Sequence, residues 1–320
     1  MKCASIMPSL CKTLPDQQYL QMISDADSIK PATKKTYISL LKSIVTALDK
    51  PLCEIMNNPC QSIKDIKSKF PVVSDHTNKI KTIVSIMKHV KIKDDIPVLF
   101  EAWVREYKPL SDVVNAAWNN NEHTSRTKEA AMTWREIVNK YNEIAKAKPF
   151  SLEHVTLAMY VLIPPRRQED YWKVSIGKNN KNHDISGTLD ITVSPPILTI
   201  TKYKTAGTYN TWTKELPKSL EIVLKRFLAT HPDRKYLFQK QDGTAFSCAE
   251  SFRYANNTIL RRVLGNAKAS VNVLRHAAAT FVHNHPKYDI TYKRQYAKDM
   301  GHSYETQSHY MMRELVEKRI

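Results

Sequence analysis

NVLRHAAATFVHNH (272–285) and MGHSYETQSHYMM (300–312) are the stretches whose reading decides the fold. In the first, Arg275 follows the apolar pair Val273-Leu274 inside a helical run. An unpaired charge in a buried helix is expensive, so Arg275 calls for a fixed partner, either a phosphate or a structural carboxylate. In the second, Gly301 reads as the stop of one helix, His302 follows at once, and Tyr310 falls in the next helix.

Upstream, the grammar is that of strands. Trp172–Ile176, Leu189–Val193, Ile197–Tyr203 and Thr208–Leu216 are β-type runs broken by Pro195, Pro196 and Gly207. PPRRQEDYW (164–172) opens that region, and KYKTAGTYNTW (202–212) sets Lys204 at the start of a hairpin turn. Around the strands lie helices. One runs from about Glu129 to Ala145, and a nearly all-apolar one, capped by Ser151, runs to Ile163. Another resumes at Pro217, and one follows a Ser247/Glu250 capping box. The expectation for this half is α+β, mainly helical, around a small antiparallel sheet.

The first 120 residues read as helix throughout. Tyr37, Leu40, Leu41, Ile44, Val45 and Leu48 recur at helical spacing after Thr33. Ile80, Ile83, Val84, Met87 and Val90 do so after Asp75, and a third segment spans about Ile96 to Tyr107. Lysines 34, 35, 42, 64, 67, 69, 79, 81, 88, 91 and 93 fall on the opposite faces, which suits phosphate tracking. NNNEHTSRT (119–127) is polar and rich in turn formers. The division expected is a helical domain over 1–120, a linker over 121–128 and a second domain over 129–320.

Composition narrows the function. In 320 residues, 49 Lys+Arg face 31 Asp+Glu, a formal charge of +18. Residues 1–120 hold 17 basic and 12 acidic groups, and the remainder holds 32 and 19. Both parts therefore suit a polyanionic partner, nucleic acid or an acidic membrane surface. The longest apolar stretch, Leu157 to Ile163, is far short of the roughly 20 residues that span a bilayer. The N-terminal MKCASIMPSLC makes a poor signal peptide, and the five cysteines lack CxxC pairs, so a soluble intracellular chain with reduced thiols is expected. Six glycines, none before residue 177, exclude GxGxxG and GxxxxGK[ST], the usual glycine cradles for NAD or ATP. Asp94-Asp95 and Glu169-Asp170 form no convincing set for two-metal phosphoryl transfer. Metal-free chemistry on a phosphate needs instead fixed cations, a proton donor and a nucleophile.

The order Arg166, Lys204, Arg275, Gly301-His302-Ser303 and Tyr310 resembles the tyrosine recombinase (phage integrase) family. The likeness is specific from about Pro164 to Met312. Its PPRR…DY box is most similar to versions in large eukaryotic DNA viruses and mobile elements. Over residues 1–120 the likeness is generic, a lysine-rich helical segment where that family keeps its core-binding domain.

The resemblance implies a site-specific recombinase or integrase acting without metal, ATP or other cofactor. Tyr310 would be the nucleophile that forms a 3′-phosphotyrosyl intermediate, and position relative to Gly301-His302 selects it among fifteen tyrosines. Arg166 and Arg275, with His302, would grip the phosphoryl oxygens. Lys204 would protonate the leaving 5′-oxygen, its pKa lowered by neighbouring arginines and burial. Arg167 and Lys202 are the register alternatives. The family's H-x-x-R is here Asn272-Val273-Leu274-Arg275, so Asn272 is at most an auxiliary phosphate contact without acid–base capacity. His276 reads as a packed or capping histidine. Implied partners are double-stranded DNA and further copies of the chain, a tetramer on synapsed DNA. A type IB topoisomerase and a non-catalytic DNA-binding descendant stay open as alternatives.

Overall fold

A computed structural model describes residues 15–89, 96–177, 184–312 and 315. The chain divides into two compact units, Met1–Asn120 and Asn121–Ile320, and each closes its own core.

In the first unit, helices Asp16–Asp25, Pro31–Leu48, Leu52–Asn57, Pro59–Lys69, Val73–His89 and Pro97–Asn119 bury one apolar face each. Pro31, Pro59 and Pro97 open three of them, where a missing N–H is not needed. Ile23, Ile44, Ile55, Ile66, Ile80 and Trp103 meet in the centre, and the Trp103 indole donates to the Met56 carbonyl at 2.8 Å. The last helix outruns its expected end near Tyr107 and continues through Pro109. Lys35, Lys42, Lys64, Lys67, Lys69, Lys81 and Lys88 are exposed as expected. Lys79 is buried instead, paired with Asp75 and lying over the Phe70 ring. Lys91 and Lys93 lie outside the described residues. Cys53 and Cys248 are free, whereas Cys60 is disulfide-bonded, contrary to the expectation of reduced thiols throughout.

The second unit wraps helices around Leu152–Val161, whose residues from His154 to Tyr160 are all buried. Ser151 caps that helix through the His154 N–H. Helices Trp134–Ala147, Lys218–Ala229 and Ala249–Leu264 share its core with the sheet, through Ile137, Leu224, Phe227, Phe252 and Leu260. The cap of Ala249–Leu264 is Cys248 with Ser251, one residue later than the expected Ser247/Glu250 box. Residues expected as a linker carry the short helix Ser125–Glu129, capped by Thr124, and the Asn266 side chain donates to the Ala130 carbonyl just beyond it.

The sheet is mixed, not antiparallel. Its strands β1 (Val174–Ile176), β2 (Gly187–Asp190), β3 (Ile197–Ile200) and β4 (Trp212–Glu215) stand in the order β1-β2-β3-β4. β1 runs parallel to β2, pairing Val174 with Gly187. The other two pairings are antiparallel, with Leu189 opposite Leu198 and Ile200 opposite Trp212. Apolar alternation marks a strand and its faces but carries no information on direction, so the sequence does not signal the parallel β1–β2 pair. Gly187 is where β2 must lack a side chain, since a Cβ there would stand 2.2 Å from the Thr199 carbonyl oxygen. The strand that matters for the site is β4, whose Trp212 faces the arginine cluster.

Candidate active site

Arg166 leaves the end of the Leu152–Val161 helix and is fully buried. Its Nε donates to Asp170 Oδ2 at 2.9 Å, and Asp170 sits on the 3-10 turn Gln168–Tyr171. Its Nη1 donates to the Asp299 carbonyl at 2.8 Å. Trp212 and Tyr203 place their rings 4.4 and 4.7 Å from the guanidinium carbon. Burial pushes the Asp170 carboxyl up, and Arg166, Arg167 and Arg275 oppose that rise.

Arg275, from the Val271–Asn284 helix, is equally buried. Its Nη1 donates to the carbonyls of Pro165 and Met300 at 2.7 and 2.9 Å. The fixed partners that its burial demands are thus backbone carbonyls of the two segments flanking the site. Neither is a carboxylate, so the guanidinium charge is held without being neutralised.

Met300 ends the Ile290–Asp299 helix, and the chain turns there in a Schellman motif. The Gly301 N–H donates to Lys298 and the His302 N–H to Ala297. Gly301 takes φ +78°, and a Cβ on it would lie 3.3 Å from both Arg166 Nη2 and Arg167 Nη1. The left-handed turn favours glycine, and a side chain here would also make both guanidinium groups give way by a few tenths of an ångström. The Gly301 carbonyl accepts from Arg167 Nη1 at 2.8 Å and from Thr205 Oγ1 at 3.1 Å.

His302 is 3% exposed, and its Nδ1 lies 3.0 Å from Arg275 Nη2. A guanidinium has no acceptor, so Nδ1 must accept and the neutral ring carries its proton on Nε2. Burial, then the charges of Arg275, Arg167 and Arg166, push the His302 pKa down to about 2. The ring is a neutral donor whose Nε2–H is buried without a partner among the described residues. Arg166 Nη2 and Arg275 Nε share that condition.

Tyr310 stands over this cluster. Its ring lies 5.1 Å from the Arg275 guanidinium carbon, 5.0 Å from the His302 ring and 4.9 Å from the His276 ring. It does not lie within a helix, as expected, but just past one. Tyr304–Ser308 ends with His309, and Tyr310 turns back with its N–H on the Gln307 carbonyl. Tyr304, at the start of that helix, stacks on His283 instead.

Lys204 occupies the β3–β4 connection as expected, but it is exposed, contrary to the partial burial expected of a proton donor, and it makes no hydrogen bond or ion pair among the described residues. Its neighbours Tyr203 and Thr205 both touch the site, on Arg166 and Gly301, so the loop carrying it is anchored there. Lys202 is exposed too. Asn272 is exposed and separate from the arginine–histidine cluster. It lines a cleft of about 280 Å³ with Arg126, Arg261, Lys268 and His276.

Several residues around the site escaped sequence reading. Asp299 is buried, and its carboxylate accepts from Lys214 at 2.6 Å, Trp212 at 3.0 Å and Gln295 at 3.2 Å, while its carbonyl holds Arg166. An acidic residue in the last turn of a helix opposes the helix dipole, and that is the signal that Asp299 is used elsewhere. His123 and His276 grip the backbone around Tyr310, and no local pattern announces that.

Among the described residues there is no cluster of three metal-ligating side chains and no helix long and apolar enough to cross a membrane. No family model and no curated protein matches the chain. Among solved structures it is similar to the crystal structure of XerA recombinase. That match is 15% identical, covers 95% of this chain and 96% of the other, and has a TM-score of 0.42.

Proposed function

We propose that the protein cleaves and rejoins DNA strands through a covalent phosphotyrosine, as a recombinase of the tyrosine type. The observation that carries this reading is the set of three buried donors that have no partner among the described residues, Arg166 Nη2, Arg275 Nε and His302 Nε2, beside the Tyr310 ring. Leaving charge-bearing donors buried and unpaired is costly. An anion with several acceptor oxygens repays that cost, and a phosphodiester meeting a tyrosine is such an anion.

In this reading Arg166, Arg275 and His302 hold the non-bridging oxygens and stabilise the charge that builds on them. The Tyr310 oxygen bonds to phosphorus while the bond from phosphorus to the 5′-oxygen breaks. The phenolic proton passes to water, and the 5′-oxygen takes a proton from Lys204. Attack by a 5′-hydroxyl on the phosphotyrosine reverses each of these changes. The bond energy is kept in the phosphotyrosine throughout, so the exchange requires no nucleotide hydrolysis. The +18 charge supplies the wider hold on the duplex.

A nicked duplex that loses a short 5′-hydroxyl fragment after cleavage traps the intermediate. The expected result is a covalent protein–DNA adduct in the presence of a chelator. Binding without any adduct would instead mark a DNA-binding module, and relaxation of supercoils by monomers would mark a topoisomerase.

A further inference from the structure

Asp299 holds Arg166 twice over. Its backbone carbonyl accepts from Arg166 Nη1 at 2.8 Å. Its carboxylate accepts from the Trp212 indole N–H at 3.0 Å, and the centre of that indole lies 4.4 Å from the Arg166 guanidinium carbon. Lys214 and the Gln295 amide donate to the same carboxylate at 2.6 and 3.2 Å. Side chains two positions apart on a strand share a face, and Trp212 and Lys214, two apart on β4, both reach Asp299. Asp299 is 6% exposed, and Lys214 supplies the counter-charge that a buried carboxylate needs.

A guanidinium presents its donors as a rigid planar fork, so holding two of its nitrogens and its face sets the direction of the third. In Arg166 the Nε goes to Asp170, the Nη1 to Asp299 and the face to Trp212. The Nη2 is left buried with no partner among the described residues. We infer that Asp299 is a positioning residue for Arg166, its carboxylate acting through Trp212 to aim Nη2 at a non-bridging oxygen of the phosphate. Asp299 itself touches neither the phosphate nor the reacting atoms. This rests on the phosphotyrosine reading above, in which Arg166 grips that oxygen. A donor stabilises developing charge best when it is aimed beforehand, and a small misplacement is enough to cost about a hundredfold.

The test compares single-turnover cleavage of trapping duplexes that differ at one atom. One carries the natural linkage. In the others a methyl group replaces one or the other non-bridging oxygen of the scissile phosphate, which removes the charge that an arginine would grip. Arg166→Ala should be slow on the natural linkage and much less impaired on one of the two methyl isomers. Asp299→Ala should follow the same pattern, slowed about tenfold or more on the natural linkage and spared on that isomer. Asp299→Asn, which keeps an acceptor for the indole, should recover part of the rate. Where Asp299→Ala does not fold, Trp212→Phe, which keeps a ring but loses the N–H to Asp299, gives the same comparison. In Arg166→Ala protein, adding Asp299→Ala should slow the natural linkage no further. Equal slowing on natural and methylated linkages, or full additivity with Arg166→Ala, would overturn the inference and leave Asp299 a role in the fold alone. An Arg166→Ala protein equally impaired on all three linkages would overturn it too, since there would be no grip to aim. Failure of the wild-type protein to form an adduct on the natural linkage would be recognised separately, as failure of the phosphotyrosine reading itself.

Discussion

Arg275 Nη2 and His302 Nδ1 stand 3.0 Å apart, and that contact fixes the role open to the histidine. With Nδ1 accepting and the pKa near 2, the ring is a hydrogen-bond donor through Nε2 and not a proton shuttle. His302→Gln preserves a donor at that end of the side chain and should keep adduct formation within about tenfold. His302→Phe removes it and should cost on the order of a hundredfold. Single-turnover cleavage rates compare the two.

The same depressed pKa links folding to pH. In the unfolded chain His302 takes up a proton below about pH 6.5, while in the folded unit it stays neutral down to about pH 2. Its contribution to stability is therefore complete above pH 6.5 and falls by about 1.4 kcal/mol per unit as the pH drops through that window. Between pH 7 and pH 5 this removes about 2 kcal/mol. Thermal unfolding at the two pH values should show a larger drop for the wild-type protein than for His302→Gln.

Gly301 is predicted to tolerate no side chain. Alanine there meets a φ of +78° and two guanidinium nitrogens at 3.3 Å, a cost of about 1–3 kcal/mol. Because the atoms that must give way belong to Arg166 and Arg167, Gly301→Ala should lower cleavage more than its loss of melting temperature accounts for. Circular dichroism melts beside trapping assays check this.

Asp170→Asn leaves Arg166 buried without its counter-charge, 2.9 Å from a neutral amide. The expected destabilisation is about 3–5 kcal/mol, read in denaturant unfolding. The exposed Lys204 should behave oppositely. Lys204→Ala is expected to leave unfolding unchanged and to slow only the cleavage step, with duplexes carrying a better leaving group than the 5′-oxygen restoring the rate.

Much of the site was legible in sequence because its parts are local signals. Gly301 sits where a helix must stop, Arg275 sits where a charge cannot be buried alone, and His302 and Tyr310 follow at fixed spacing. Asn272 shows where that legibility ends. Three residues along a helix leave Asn272 and Arg275 about 60° apart, near enough for spacing to suggest one site, yet Asn272 opens toward the cleft with Arg126 and Arg261 while Arg275 turns inward. The parallel β1–β2 pair and the clamps at Tyr310 were not legible for a common reason. Both are set by contacts between segments far apart in the chain, such as His123 with Met311, and no local periodicity encodes them.

The cleft itself bears on affinity. Arg126 and Arg261 form no ion pair among the described residues, and Arg261 Nε and Asn257 Oδ1 are buried without partners. If DNA phosphate lies there, Arg261→Ala should reduce the slope of log affinity against log salt by about 1 and leave sequence preference intact.

The most direct measurement maps the adduct. The protein is incubated with a trapping duplex and a chelator, digested, and the DNA-linked peptide is identified by mass spectrometry. A 3′-phosphate joined to Tyr310, with no adduct from Tyr310→Phe, is the predicted result. An adduct that persists in Tyr310→Phe, or one that forms only when a divalent metal is supplied, would contradict the account.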